Sequence, residues 1–174
     1  MNFSKSKKYR KALDFATQKH KGQTRIGGDA YITHPIAVAQ LVEDWGYGKN
    51  YVLTALFHDL LEDTDATEKE IKKIGGKKVL SAVKLLTKSK PYVMSEYVEQ
   101  IKNNNISRVV KAADRLHNIR CAKVTDEKFK RRYILETYDW YTDLCCEMLP
   151  ALKDLALSVE NGRTEFSFLF DGKD

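Results

Sequence analysis

The sequence predicts an all-α bundle of roughly eight to ten helices. Three observations carry this expectation. Apolar residues recur at three- and four-residue spacing through most of the 174 residues. The strict alternation of half-buried strands is scarce. Most periodic runs stop at glycine, asparagine or proline and restart beside a residue able to cap a helix.

From about Ser6 to Lys21, the residues Tyr9, Ala12, Leu13, Ala16 and His20 form one stripe, and Gly22 ends it. The stretch "GQTRIGGDAYIT" reads as a loop that turns at Gly27-Gly28-Asp29. Thr33 fits the N-cap of a helix from His34 to about Trp45, with Pro35 in the first turn, where its missing N–H costs little. Gly46 and Gly48 close that helix. Asn50 fits the cap of the next, which runs through Leu53, Leu56, Phe57 and Leu60. "TEKE", Thr67 to Glu70, has the spacing of a capping box, and its helix ends at Gly75-Gly76. Val79, Leu80, Val83 and Leu86 mark another helix ending near Thr87-Lys88. Pro91 falls in a linker, and a helix is expected from Ser95 to about Asn103. Asn103 to Asn105 break the pattern before Val109, Ala112, Ala113 and Leu116 resume a core-facing stripe. A long aromatic-rich helix is expected from about Asp126 to Met148, closed or kinked by Pro150, with a last helix to about Asn161-Gly162. "TEFSFLF" is open between a short strand, a docked coil and a partner surface. One domain covers 1–174, with a motif-bearing core over about 20–120 and C-terminal helices and tail over about 126–174.

Composition narrows the function classes. The chain is 43% hydrophobic and 31% charged, an ordinary globular balance rather than a disordered one. No apolar run reaches the roughly 20 residues of a membrane span, so no membrane partner is expected. The N-terminus is basic without an apolar core, unlike a secretory signal. Cys121, Cys145 and Cys146 are an odd count with two adjacent, which points to reduced thiols and a cytoplasmic protein. The net charge is +6, and residues 1–25 hold eight Lys or Arg against one acid, Asp14. Such a region steers anions, or is a solvated helix face.

"FHDLLEDT", Phe57 to Thr64, gathers His58, Asp59, Glu62 and Asp63 among apolar neighbours. Like charges one helical turn apart repel, and carboxylates fit poorly at the negative end of a helix dipole. A cation would offset both. The histidines are His20, His34, His58 and His117. His34 opens a helix at "THP", His58 precedes Asp59, and Asp114 lies in "KAADRLHN", with His117 and Asn118 one turn on. Mixed nitrogen and oxygen donors suit Mn²⁺, Fe²⁺ or Zn²⁺. Adjacent helical residues point about 100° apart, so His58 and Asp59 share an ion only at the boundary of their faces.

The blocks "HKGQTR", "YITHPIAVAQLV", "ALFHDLLEDT", "LTK" and "VVKAADRLHNIR" occur in that order. Together they resemble the hydrolase half of RelA/SpoT-type enzymes, which belong to the HD-domain superfamily of metal-dependent phosphohydrolases. In size the chain is similar to the stand-alone small alarmone hydrolases. The resemblance runs from about His20 to Arg120 and implies a single HD-domain helical bundle. It implies that His34, His58, Asp59 and Asp114 hold Mn²⁺ and that Glu62 and Asp63 are the catalytic acidic pair. These acids lie one turn from His58 and Asp59, where they can orient a water or handle its proton. Asn118 matches a residue that contacts the ribose–phosphate portion of the substrate, Arg25 a basic position beside the nucleotide, and Tyr31 and Lys88 further substrate-side positions. Arg115 is expected to hold the acidic cluster together. The implied reaction removes the 3′-pyrophosphate of guanosine tetra- or pentaphosphate, giving GDP or GTP and pyrophosphate. The chain departs from the family at Thr24-Arg25-Ile26, where relatives often carry consecutive basic residues.

Two alternatives stand beside this reading. One keeps the metal site and changes the nucleotide, for example to the 2′-phosphate of NADPH. The other is a non-catalytic nucleotide sensor or a nucleic-acid-binding module using the basic N-terminus. Complete metal-type residues and the intact Glu62-Asp63 pair weigh against a degenerate sensor. A guanine nucleotide is the partner that the resemblance implies, and nucleic acid is not expected. Self-association stays open.

Overall fold

Side-chain caps set several of the helix starts. The Ser6 hydroxyl accepts from the Tyr9 amide at 3.1 Å and opens α1 (Lys7–Lys19), whose buried face carries Ala12 and Ala16. The computed structural model describes residues 3–89 and 91–171, and among these the only pairing of strand type is an isolated bridge between Thr24 and Ala30. The chain is thus all-α, as its periodicity predicts. Residues up to Asp114 form one compact unit and residues from Arg115 a second.

In the first unit α2 (Thr33–Asp44) starts one residue earlier than expected. Thr33 is not its cap. The chain is already turning at Tyr31, whose carbonyl accepts from the His34 amide at 2.9 Å, and the Thr33 hydroxyl instead donates to the Ala30 carbonyl at 2.8 Å. The next helix, α3 (Lys49–Phe57), likewise begins after Gly48, leaving Asn50 inside the first turn. Every residue from Val52 to Phe57 is buried, so this part of α3 is enclosed on all sides, and the helix packs on α1 and α2. It does not run on through "FHDLLEDT". It stops at Phe57, and the one-turn helix α4 (Leu60–Asp63) follows.

The expected capping box opens α5 (Glu68–Gly75): the Thr67 hydroxyl accepts from the Glu70 amide, and Glu70 accepts from the Thr67 amide at 2.8 Å. Gly76, at φ 92°, makes the left-handed turn into α6 (Lys77–Leu86). The Tyr97 hydroxyl of α7 (Met94–Lys102) donates to the Leu86 carbonyl at 2.8 Å and ties that helix to the end of α6. Helix α8 (Asn105–Cys121) follows directly, and its Ser107 donates to the Ala82 carbonyl in α6 at 3.2 Å.

In the second unit Asp126 caps α9 (Glu127–Tyr141), accepting from the Phe129 amide at 2.8 Å. The long helix expected to reach Met148 stops at Tyr141. A 3₁₀ turn at Thr142–Leu144 separates α9 from α10 (Met148–Leu157). Pro150 lies in the first turn of α10 rather than at the end of α9, because a missing N–H is harmless at a helix start. Helix α10, expected to run to about Asn161-Gly162, ends at Leu157, and "TEFSFLF" lies in helical turns, α11 (Gly162–Glu165) and a 3₁₀ turn at Ser167–Leu169, with Phe166 and Leu169 buried. A Cβ at Gly162 would meet the Ala156 carbonyl oxygen, so this turn needs glycine.

The capping box gives a pH signature. Hydrogen bonds from the Thr67 amide and hydroxyl, and then from Lys19, lower the Glu70 carboxyl from 4.5 to about 2. A depressed carboxylate stabilises the fold above its unfolded value and loses that contribution as pH falls through its folded one. Unfolding in urea should therefore show stability declining between about pH 4.5 and 2, and Glu70→Gln should flatten that portion. Thr67→Ala should cost about 1 kcal/mol at neutral pH.

Candidate metal centre

The break between α3 and α4 brings two adjacent side chains to one point. On a continuous helix His58 and Asp59 would diverge by about 100°. Here the backbone leaves regular α geometry at Asp59, with φ −98° and ψ −5°. The result is 3.0 Å between His58 Nε2 and Asp59 Oδ2. His34 comes from the first turn of α2, and its Nε2 lies 3.2 Å from His58 Nε2. Asp114 comes from α8, with Oδ1 at 3.1 Å from His34 Nε2 and 3.7 Å from His58 Nε2. Both imidazoles and Asp114 are buried. His34, His58 and Asp59 have ligand atoms within 4.8 Å of one another.

This donor set suits a divalent cation. The Nδ1–H of His58 donates to the Ala55 carbonyl at 2.7 Å, which turns the Nε2 lone pair inward. Lone pairs and carboxylate oxygens then face one another across about 3 Å, the edge of a coordination shell with bonds of about 2.1 Å. Without positive charge between them, such an arrangement repels. Lys111 holds the other side of Asp114, its ammonium 2.9 Å from Oδ2, leaving Oδ1 for the cluster. Sequence reasoning missed Lys111, although its spacing of three residues from Asp114 on one helix was the available signal.

The electrostatics are divided. Burial would lower His58, but the carboxylates of Asp59 and Asp114 outweigh it and raise the imidazole well above its ordinary value. Burial dominates at His34 and lowers it despite Asp114. Against the effect of burial, His58 brings Asp59 down to about 2, while Lys111 and the histidines hold Asp114 well below the carboxylate range. Asp63 moves the other way: burial, then the charges of Asp59 and Glu62, raise it.

The structure treats the remaining expected residues differently. The Tyr31 hydroxyl donates to Asp59 Oδ2 at 2.7 Å and approaches Asp63 Oδ2 at 3.3 Å, so it sits at the acids. Glu62 accepts from the Lys88 amide at 3.0 Å. The Lys88 ammonium lies 5.3 Å from the ring centres of both Tyr92 and Tyr97. Arg25 sits on the loop closed by its own amide donating to the Asp29 carbonyl at 2.9 Å, with Gly27 and Gly28 at positive φ. Asn118 is one turn beyond Asp114 on α8 and belongs to the second unit. Arg115 does not serve the acidic cluster. Its guanidinium bonds Thr137 at 2.8 Å and Glu136 at 3.0 Å and lies over the ring of Tyr133. One helical step from Asp114 aims it at α9 instead.

Two outcomes test the site. A divalent cation must displace the proton that His58 retains above its ordinary value. Mn²⁺ affinity measured by calorimetry should therefore weaken about tenfold per pH unit on the acid side of that titration. Amide exchange at residues 58–64 should slow when Mn²⁺ is added, and equal protection with and without the ion would count against the cluster as a cation site.

Comparison with known proteins places the chain. A family model described as "HD domain" matches residues 12–148. "GTP pyrophosphokinase rsh" of Brucella melitensis is 37% identical over 161 residues, covering 86% of this chain and 21% of that protein. "Guanosine-3′,5′-bis(diphosphate) 3′-pyrophosphohydrolase" of Aquifex aeolicus is 35% identical over 142 residues, covering 77% of this chain and 20% of that protein. The chain thus spans about a fifth of the length of these curated relatives. A solved structure described as "A metazoan ortholog of SpoT hydrolyzes ppGpp and plays a role in starvation responses" shares the fold. Its TM-score is 0.66 at 22% identity, over 92% of this chain and 96% of that one. The family match takes in His34, His58, Asp59 and Asp114, the side chains that converge in the structure, and this chain belongs to the HD-domain family.

Proposed function

We propose that this chain is a Mn²⁺-dependent hydrolase that removes the 3′-pyrophosphate of guanosine tetra- or pentaphosphate, yielding GDP or GTP and pyrophosphate. The observation that carries the reading is a set of two buried imidazoles, the buried carboxylate of Asp114 and the part-buried one of Asp59, with an acid of raised proton affinity, Asp63, beside it. The Aquifex relative is named for this reaction.

His34, His58, Asp59 and Asp114 are the residues that would hold the ion. A divalent cation held there would lower the pKa of water and offset charge on phosphoryl oxygens. The division of the carboxyls suggests their roles. Asp59, at about 2, stays ionised and is suited to holding charge. Asp63, pushed up by burial and by Asp59, is suited to taking a proton from the attacking water. Two environments that push neighbouring acids apart separate the ligand from the base. Glu62 grips the main chain at Lys88. Its role on this reading is to hold the loop that offers the Lys88 ammonium to substrate phosphates. Arg25 and Asn118 are assigned to the nucleotide by resemblance. The unpaired state of Cys121, Cys145 and Cys146 fits action in the cytosol.

Purified chain with Mn²⁺ should release pyrophosphate and GDP from guanosine tetraphosphate, and chelation should stop it. Asp59→Ala should remove both Mn²⁺ binding and turnover. Asp63→Asn should lower kcat by about 10²–10⁴-fold while leaving Mn²⁺ binding in place. A panel that includes NADPH separates substrates. Phosphate release from NADPH with the alarmone left intact would defeat the assignment.

A further inference from the structure

The network around Asp63 reaches back to the first block of the motif set, where His20 and Gln23 have no role in the reaction described so far. Gln23 follows the end of α1, and its side-chain amide donates to the main-chain carbonyl of Asp63 at 2.6 Å. That carbonyl only accepts, so the Gln23 nitrogen faces it and the Gln23 oxygen faces the other way. The oxygen meets His20 Nδ1 at 2.7 Å, which makes that ring nitrogen the donor. His20 is 2% exposed, and its Nε2 meets no partner among the described residues. A buried imidazole with one nitrogen unbonded costs stability that an apolar residue would avoid, so it calls for an explanation. Its ring also packs on that of Tyr31, with centres 4.8 Å apart and planes inclined by 31°. Tyr31 in turn spans Asp59 and Asp63.

We propose that His20, Gln23 and Tyr31 are positioning residues that fix Asp63 against Asp59, Gln23 through the Asp63 carbonyl and Tyr31 through the two carboxylates. The inference rests on the reading of Asp63 as the proton acceptor and deepens it. Residue 63 closes a helix of one turn, α4, which has little hold on its own last side chain. Two like-charged carboxylates one turn apart drift away from each other unless a donor bridges them. Tyr31 supplies the bridging donor, and Gln23 clamps the backbone from which Asp63 projects. His20 packs on the Tyr31 ring at a tilt and bonds the Gln23 oxygen. Tyr31 is thereby a residue that acts through the acids, not one that binds the nucleotide.

The test uses the full chain and compares Tyr31→Phe and Gln23→Ala with the double variant. Readouts are kcat and KM in Mn²⁺, Mn²⁺ affinity by calorimetry, and thermal melting. Each single variant should lower kcat by about 10–100-fold with KM held within about twofold, since an orienting partner has been lost and no ground-state contact. The double variant should fall well short of the product of the two losses, because both act on one group. Tyr31→Phe should also weaken Mn²⁺ by about tenfold through Asp59, whereas Gln23→Ala should leave the ion affinity unchanged. A rise in KM at constant kcat for Tyr31→Phe, or fully multiplicative losses, would overturn the proposal. If the wild type spares the alarmone and hydrolyses another nucleotide, the substrate reading has failed, and the same series runs on that nucleotide. If nothing is turned over, the ion affinity of Tyr31→Phe decides: weakened supports the positioning role, unchanged overturns it.

Discussion

The first unit is organised around an electrostatic conflict. His34, His58, Asp59 and Asp114 aim nitrogen and oxygen lone pairs at a common point that is largely shut off from water. Neither burial nor hydrogen bonding resolves this, because too few donors point inward. Positive charge does. In the protein by itself the raised His58 and the Lys111 ammonium supply part of it. A divalent cation supplies more, and the other features of the site are intelligible as preparation for it. The Ala55 carbonyl selects the His58 tautomer, and Lys111 takes the outer oxygen of Asp114.

The fold makes that conflict tolerable by placing it on a rigid support. From Val52 onward helix α3 is buried on every side, so the position of its last residue, Phe57, is set by packing rather than by local propensity. His58 therefore leaves the core at a defined point, and the break that follows lets Asp59 join it. The acids that lie beyond the break are treated as two separate resources. Asp63 is kept near Asp59 and its proton affinity rises. Glu62 is turned to the Lys88 amide and links α4 to the segment after α6. Adjacent acids thus acquire different environments from one short helix.

The second unit follows another logic. Arg115 is buried, with its guanidinium over the rings of Tyr133 and Tyr141, and is satisfied by Thr137 and Glu136. A planar guanidinium with aromatic faces and a carboxylate is well matched there, and lysine would not replace it. Arg131 similarly gathers Glu127, Glu165 and the Glu160 carbonyl, which hold the C-terminal turns to α9. These pairs explain why "TEFSFLF" adopts helical turns instead of a strand: its own acid, Glu165, is tied to a helix, and Phe166 and Leu169 are buried.

Local chemistry was enough, in the sequence alone, for the all-α class, the Thr67–Glu70 capping box and the Ser6 helix start, whereas the grouping of His34, His58, Asp59 and Asp114 came from the ordered motifs and the family they resemble. Each depends on periodicity, on a side chain reaching three residues along, or on an ordered set of motifs. What local chemistry did not reveal was where a helix yields to its surroundings. Thr33 and Asn50 have the chemistry of caps, yet the preceding turn and Gly48 had already started their helices. Pro150 is equally at home after one helix or inside the first turn of the next. The break at His58-Asp59, the turning of Glu62 to Lys88, the capture of Arg115 by α9 and the clasp of Gln23 on Asp63 are all decided by residues remote in sequence. Such contacts exist only once helices pack, and the tertiary structure alone determines which of several locally equivalent partners a side chain meets.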